Sequence, residues 1–224
     1  NLIVATLRRF FKFQIDVLEE RTIDPTAKLS RPKQSKHHPA AIETDKVKLA
    51  MDYAYETSRD DLKIRNWSFI AFLYGTGLRI SEACGLRMAN IRYQDELPYS
   101  VTVIGKGNKE RTVVMNATAQ AGLYKWLRFR QKLLLDLPPT IDRQIVWLIP
   151  SGRFAGGQVK PPAIRHMLRG ISNDYLGERV HPHRFRHTFV TEAVRAGSPI
   201  HAVQASAGHA DLSTTGRYMH ANDD

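Results

Sequence analysis

Apolar residues recur at three- and four-residue spacing along much of the chain, which is the pattern of helices that bury one face. The spacing predicts helices over residues 2–20, 44–56, 62–74, 117–135, 162–171 and 183–196, with a short helix inside 76–91. Glycine or proline lies near several of the predicted ends, as is common where helices stop. The pattern therefore predicts a mainly helical chain.

Two β-branched runs, residues 99–104 and 111–115, flank a loop that contains two glycines and an asparagine. These loop residues tolerate positive φ, so the runs are predicted to form a β-hairpin with Lys106 at its tip. The loop is not a nucleotide P-loop, because its glycine–lysine spacing differs and no Ser or Thr follows the lysine. With a further short strand predicted at 146–149, the fold class is mainly α with a small antiparallel β-sheet (α+β).

The N-terminal part of the chain differs in pattern from the rest. The apolar face of its first helix has no partner nearby in sequence, so residues 1–25 are expected to be the last helix of a truncated helical domain. Residues 26–40 lack periodicity and are predicted to form a basic interdomain linker. A solvated loop and a segment lying along a phosphate backbone remain equally open for its cations, Lys28, Arg31, Lys33 and Lys36. Residues 41–224 are expected to form the catalytic domain.

Charge narrows the choice of partner. The chain has 33 Lys and Arg against 22 Asp and Glu, a formal net charge of +11. Such an excess favours a polyanion, most often a nucleic acid, although solubility alone could also explain it. The single cysteine, Cys84, excludes an internal disulfide, and no apolar run reaches the roughly 20 residues that span a membrane. A cytoplasmic, nucleoid-associated protein without a membrane partner is expected.

The stretch from 181 to 220 concentrates the candidate chemistry. His183 and Arg186 are three residues apart at the start of a predicted helix, so they lie on one face and can point at one ligand. A helix N-terminus with an arginine and a histidine beside it suits a phosphate. The helix is followed by a Gly–His pair that contains His209, and by Tyr218 nine positions later.

A second candidate group lies in the segment TGLRISEACGLR. Arg79 is surrounded by apolar residues, and Glu82 is one helical turn further on, where it can hold the guanidinium in place. A purely structural ion pair is the alternative interpretation of this segment taken alone.

The residue types suit attack on a phosphodiester. Arg79 and Arg186 can neutralise the charge that develops on the phosphate oxygens, and His209 can donate a further hydrogen bond. The remaining three side chains can handle the nucleophile and the leaving group. Tyr218 is the predicted nucleophile, with His183 as its base, and Lys106 can protonate the leaving 5′ oxygen.

Zinc is the alternative ligand for the histidines, since His183 and His187 are four residues apart on a helix and His209 is available. Nearby arginines would repel a cation, and acidic ligands are scattered along the chain. No metal and no cofactor are therefore expected.

Several motifs in one order carry a family resemblance: RISE around Arg79, GKGNKER at the hairpin, HPHRFRH, GH, and the terminal Tyr218. Together they resemble the signature of the tyrosine recombinases, the phage-integrase family that includes the Xer proteins. The match extends from about residue 41 to Tyr218. The resemblance is specific because several separate motifs occur in the same order as in the family.

The resemblance implies a tyrosine-recombinase catalytic-domain fold and assigns the roles. By it, Arg79, Lys106, His183, Arg186, His209 and Tyr218 are catalytic, and Glu82 supports the first arginine. It implies duplex DNA as partner, a homotetramer that synapses two duplexes, and strand exchange through a Holliday junction. Further DNA contacts are expected from Lys109, Arg111, Arg184 and His187. Six residues follow Tyr218 in this sequence, whereas family members usually continue into a tail that docks on a neighbouring protomer.

Two other functions stay open at this point. A type IB topoisomerase would use the same chemistry to nick and reseal one strand without a partner site. A DNA-binding protein of the same fold without cleavage is the other alternative, although it would have no use for Tyr218. For a recombinase, both chromosome-dimer resolution and integration of a mobile element are compatible with these motifs.

Overall fold

The computed structural model describes residues 2–21, 23–29, 41–105 and 108–208. The chain divides into two compact units, Asn1–Pro39 and Ala40–Asp224. The assignment of residues 1–25 to a truncated helical domain and of 26–40 to a linker stays a prediction. In the described ranges, no helix has the length and apolar character needed to cross a membrane.

The first unit contains a helix and a turn among its described residues. Helix α1 spans Leu2–Asp16 and ends earlier than predicted; Glu19 takes a positive φ of 54°, which is incompatible with a continuing helix. The Asp24 carboxylate accepts hydrogen bonds from the backbone N–H and the hydroxyl of Thr26 at 2.7 and 2.6 Å, which closes the turn. Phe10 is half exposed on α1.

The second unit carries the remaining elements. Its helices are α2 Thr44–Thr57, α3 Asp60–Thr76, α4 Ile80–Cys84, α5 Ala117–Asp136, α6 Pro161–Ile171, α7 Pro182–Arg195 and α8 Ile200–Ala207. Its strands are β1 Ile91–Gln94, β2 Leu97–Ile104 and β3 Glu110–Val114, which pair antiparallel in the order β1-β2-β3. The predicted fold class, mainly α with a small antiparallel β-sheet, is confirmed.

Helix α3 is the centre of the core. The run from Phe69 to Leu73 is fully buried on every face, because α3 packs between α2 and α5. Gly75 lies inside α3 instead of ending it, and a Cβ there would approach the Asn116 side chain to 2.0 Å. The helix end predicted at residue 74 was therefore two residues early, and Gly75 permits close packing against the start of α5.

One local prediction was wrong and two elements were missed. The segment predicted as a strand at 146–149 is buried but forms isolated bridges, because its backbone bonds to loop residues such as Leu86 and Gly157. Strand β1 was missed because three of its four residues are exposed, so it lacks a clear hydrophobic pattern. Backbone pairing with β2 holds it in the extended conformation. Helix α8 was also missed. It is short and is held by Val203 and Ala207, which pack in a small apolar cluster against α7.

Candidate active site

The turn between α3 and α4 presents Arg79. Helix α3 ends at Gly77, whose φ of 59° is the left-handed conformation that glycine adopts most readily. Leu78 then enters the core with 1% of its surface exposed, and the extended Arg79 immediately precedes α4. A Cβ on Gly77 would lie 2.5 Å from the Phe189 ring, so α7 packs closely against this turn. The turn therefore fixes the Arg79 backbone beside α7.

Glu82 binds two guanidinium groups at once. Its Oε2 accepts from the backbone N–H of Arg79 at 2.8 Å, and its Oε1 accepts from Arg79 Nη1 at 2.9 Å. Arg111 on β3 donates to the same two oxygens at 3.0 and 2.7 Å. Burial acts to raise the pKa of Glu82, but the hydrogen bonds from Arg111 and Arg79 outweigh it and hold the pKa below its usual value. Glu82 is thus an ionised carboxylate that orients both arginines.

The last turn of α8 faces the same two arginines. Arg79 Nη2 donates to the carbonyl oxygen of Gly208 at 3.1 Å, and Arg111 Nε donates to that of Ser206 at 2.9 Å. Carbonyls at a helix C-terminus lack partners within the helix and carry partial negative charge, so nearby cations stabilise them. The end of α8 is therefore held against β3 and the Arg79 turn.

Arg186 reaches the same helix end from α7. Its side chain is buried with 7% exposed, and it donates to the carbonyl oxygen of Ala207 and, at 3.0 Å, to that of Gly77. It therefore ties the end of α8 to the turn that presents Arg79. Residue His209 follows this helix end directly in the sequence.

A cavity of about 180 Å³ lies between the Arg79 turn and the start of α7. Its basic lining residues are Arg79, Arg165, His183 and Arg186. Three of these, Arg79, His183 and Arg186, are the side chains that the sequence proposed for a phosphate. Several cationic donors around one small cavity suit an anion with oxygen acceptors on more than one side.

A larger cavity of about 940 Å³ adjoins the first and shares Arg165 and His183 with it. It adds Arg169 and Arg179 to the basic lining, and His181 lines it as well. Sequence reasoning missed the three arginines. For Arg165 and Arg169 a signal existed, since residues four apart on a helix share a face. Arginines outnumber the acidic Glu178 in the lining, so the two cavities together form a surface with an excess of positive charge.

His181 precedes α7 and adds no charge to this surface. Burial lowers its pKa, and His183, Arg179 and Arg184 lower the pKa further. Its imidazole is therefore neutral at physiological pH and can both donate and accept a hydrogen bond.

The side chains that were expected to contact DNA differ in their solvent exposure and in their hydrogen-bond partners. Lys28 and Lys109 are exposed, and His187 is half-buried. Arg184 is 7% exposed and donates to Glu178 at 2.8 Å, while Arg111 is bonded to Glu82. The last two guanidinium groups are thus occupied inside the fold by carboxylates, and this placement argues against the direct DNA contacts expected of them.

Several predicted site residues lie outside the described residues: Arg31, Lys33, Lys36, Lys106, His209 and Tyr218. The described chain does reach the immediate neighbours of two of them. Gly105 at the end of β2 precedes Lys106, and Gly208 at the end of α8 precedes His209. Both glycines lie beside Arg111, which is bonded to Glu82.

The described histidines do not form a metal site. Across residues 2–21, 23–29, 41–105 and 108–208, no three His, Cys, Asp or Glu side chains come together as a ligand set. The lone Cys84 is buried, and burial raises the pKa of its thiol to about 12, so it remains protonated.

Comparisons with known proteins agree on one family. Residues 41–224 match the sequence profile of the phage integrase family. Tyrosine recombinase XerC of Haemophilus influenzae (strain PittEE) is 34% identical over 223 residues, which cover 98% of this chain and 69% of that protein.

Two solved structures share the fold. The crystal structure of XerA recombinase matches with a TM-score of 0.66 at 24% identity, over 98% of this chain and 79% of that one. XerH site-specific recombinase, bound to palindromic difH substrate in a post-cleavage complex, matches with a TM-score of 0.64 at 22% identity. That match covers 80% of this chain, which spans about half (49%) of the XerH chain. The second unit of this chain therefore has the catalytic-domain fold of the tyrosine recombinases, as predicted.

Proposed function

Because this chain belongs to the phage integrase family, the tyrosine-type site-specific DNA recombinases, we propose that it cleaves and rejoins duplex DNA through a 3′-phosphotyrosyl intermediate at Tyr218. The observation that carries the proposal is the shared cavity of Arg79, His183 and Arg186, which are supplied by the turn before α4 and by the first turns of α7. If these residues served only a surface ion pair or the solubility of the protein, their side chains would not need to line one cavity.

The scissile phosphate is proposed to occupy this cavity. Attack on phosphorus places additional negative charge on the non-bridging oxygens, and two preorganised guanidinium groups stabilise that charge. Arg79 is held by Glu82, so its guanidinium keeps its orientation without the substrate. Arg186, fixed between α7, α8 and the Arg79 turn, supplies the second cation.

The roles of the other groups follow from the chemistry. The Tyr218 oxygen forms a bond to phosphorus, and its phenolic proton passes to His183, since a phenol with an ordinary pKa of about 10 needs a base. The bond from phosphorus to the 5′ oxygen breaks, and Lys106 gives that oxygen its proton. His209 donates a hydrogen bond to a phosphate oxygen. A 5′-hydroxyl of another strand then attacks the phosphotyrosyl ester and releases the tyrosine, so that rejoining needs no ATP.

Duplex DNA is the proposed partner, in a tetrameric synapse that exchanges strands through a Holliday junction. The net charge of +11 and the arginines of the larger cavity support contact with the phosphate backbone. The exposed Lys28 and Lys109 are further proposed contacts, with Arg31, Lys33 and Lys36 in the predicted linker. A cytoplasmic location at the nucleoid is proposed with this substrate.

A nicked suicide substrate tests the proposal. Duplexes that the protein retains from a random-sequence library would be resynthesised with a nick beside each candidate scissile phosphate, which lets the cleaved end diffuse away. We expect a covalent protein–DNA complex that resists denaturing gel electrophoresis and is absent in Tyr218→Phe. Site-selective binding without any covalent complex would instead establish a non-cleaving DNA-binding protein.

A second assay separates recombinase from topoisomerase. Supercoiled plasmids with and without the recovered site are incubated with the protein, and their topology and recombinant products are followed. A recombinase requires the site and yields recombinants between two sites. Relaxation of the plasmid that lacks the site would overturn the recombinase proposal in favour of a topoisomerase.

A further inference from the structure

Arg111 is surrounded on every polar edge by groups of the active-site region. Its Nη1 and Nη2 donate to the two carboxylate oxygens of Glu82 at 3.0 and 2.7 Å, and its Nε donates to the carbonyl of Ser206 at 2.9 Å. The side chain is 11% exposed. This is the bidentate geometry that a guanidinium provides and an ammonium does not.

The guanidinium also lies against two glycines. A Cβ on Gly105 would come within 3.1 Å of Arg111 Nη1, and a Cβ on Gly208 would come within 3.0 Å of its Cζ and Nε. Gly105 directly precedes Lys106, and Gly208 directly precedes His209. One side chain therefore touches the backbone just before two of the residues proposed to act on the phosphate.

Glu82 connects this arrangement to Arg79. The Oε1 atom of Glu82 accepts hydrogen bonds from both Arg79 Nη1 and Arg111 Nη1. Any displacement of Arg111 would free the carboxylate that orients Arg79 and would open space beside the two glycines. Since both oxygens of Glu82 are engaged by Arg111, a substitute without two parallel donors cannot reproduce the arrangement.

We propose that Arg111 is a positioning residue of the recombination reaction, which fixes the hairpin base, the end of α8 and Glu82 relative to one another, and does not contact DNA. The proposal rests on the proposed function and deepens it. It acts through Arg79, Lys106 and His209, because each of these is linked to a group that Arg111 bonds or touches. It replaces the expectation that Arg111 is one of the DNA-contacting cations.

The first test compares Arg111→Lys and Arg111→Gln with wild type on a suicide substrate that wild type cleaves. Arg111→Lys keeps the charge but loses the bidentate pair, so we expect its single-turnover cleavage rate to fall by about 100-fold, the scale expected for misplaced catalytic groups. The dissociation constant for DNA should stay within about twofold, because the side chain faces Glu82 rather than solvent. Arg92→Gln, on the exposed face of β1 in the same sheet, is the matched control and should cleave at the wild-type rate.

The second test uses a leaving group that needs no acid. On a substrate with a bridging 5′-phosphorothiolate, Lys106→Ala should regain activity, because a thiolate leaves without protonation. If Arg111 positions the hairpin base, Arg111→Lys should cleave the phosphorothiolate at least about tenfold faster than the ordinary substrate. Arg79→Ala should show no such gain. A purely structural ion pair would lower the fraction of folded protein and give equal losses on both substrates.

The outcomes separate this proposal from the one on which it rests. Absence of any covalent complex with wild type would remove the proposed function itself. Cleavage by wild type together with wild-type rates for Arg111→Lys, or a loss of DNA affinity as large as the loss of rate, would overturn the positioning role. Unfolding of both variants at the assay temperature would assign Arg111 to stability alone and would overturn it equally.

Discussion

Arg79 and Glu82 are joined by two hydrogen bonds of different kinds. The backbone N–H of Arg79 donates to Oε2 at 2.8 Å, and its guanidinium donates to Oε1 at 2.9 Å. The first bond satisfies an N–H at the start of α4 in the manner of a capping box, and the second orients the side chain. One carboxylate therefore fixes the helix start and the arginine that the sequence assigns to phosphate binding.

This double attachment predicts the effect of Glu82→Gln. The glutamine has a similar shape but no charge, so it leaves Arg79 and Arg111 facing each other without a counterion at a site where the Glu82 side chain is 7% exposed. We expect the free energy of unfolding to fall by about 3 kcal/mol, the scale for breaking a buried pair on one side. Urea denaturation measures the loss.

Glu192→Gln provides the control. Glu192 forms an ion pair with Arg195 at the same three-residue spacing, but both side chains are exposed. Its removal should cost under about 1 kcal/mol, as is usual for surface pairs. Equal losses for the two variants would show that burial of Glu82 contributes nothing.

The lowered pKa of Glu82 predicts a pH dependence of stability. Burial is outweighed by hydrogen bonds from Arg111 and Arg79, so the folded pKa lies below the ordinary value of 4.5. Such a group stabilises the fold above the unfolded pKa, and its contribution is lost as the pH falls through the folded pKa. The free energy of unfolding should therefore decrease below pH 4.5, and less steeply in Glu82→Gln.

Comparison of the two proteins isolates this group. Burial is also outweighed at Glu178, where Arg184 and Lys46 lower the pKa, and this residue is unchanged in both proteins. The difference between their stability curves, measured by urea denaturation from about pH 7 downwards, therefore reports Glu82. Parallel curves over the acid range would contradict the prediction.

The sequence predicted the helices well where local signals agreed. Helices α3, α5 and α6 are apolar runs with glycine or proline near their boundaries, and their observed limits lie within a few residues of those predicted. Strand β1 and the segment 146–149 are different, because their hydrogen-bond partners are distant in sequence. Local pattern identifies buried or exposed positions there, but not which backbone pairs with them.

The sequence identified most residues of the candidate site but not the hydrogen bonds that hold them in place. Arg79, His183 and Arg186 share a cavity, and the neighbouring motifs suggested that they would. Arg111 was expected to contact DNA, since nothing near it in sequence reveals that Glu82, 29 positions away, and Ser206, 95 positions away, are its partners. A charged residue inside a β-branched strand was the available signal that its side chain is held within the fold.

Gly208→Ala tests the contact between the end of α8 and Arg111. Gly208 has a φ of +64°, and a Cβ there would lie 3.0 Å from the Arg111 guanidinium. Gly197→Ala is the matched control, because its φ is +78° but no atom lies within 4 Å of the added Cβ. Both substitutions incur the left-handed backbone cost of about 1–2 kcal/mol.

The two alanine variants should differ because only the carbon added at Gly208 meets another side chain. We expect Gly208→Ala to lose more thermal stability than Gly197→Ala and to cleave the suicide substrate more slowly, since Arg111 must move away from Glu82. Gly197→Ala should cleave at the wild-type rate. The contact has no functional consequence if the two variants cleave equally fast at a temperature where both are folded.

The cavity arginines predict a separation of cleavage from DNA affinity. Arg79→Ala and Arg186→Ala should each reduce single-turnover cleavage by about 10³-fold, because each removes a donor to the developing phosphate charge. Their affinity for DNA should change little, since many other cations contact the backbone.

Arg169→Ala, at an exposed position of the larger cavity, should show the reverse. It should weaken binding and lower the salt dependence of log K by about one unit, while cleavage at saturating DNA is retained. Titrations at several salt concentrations, paired with single-turnover rates, measure both quantities, and a common loss of rate and affinity in all three variants would contradict the division of roles.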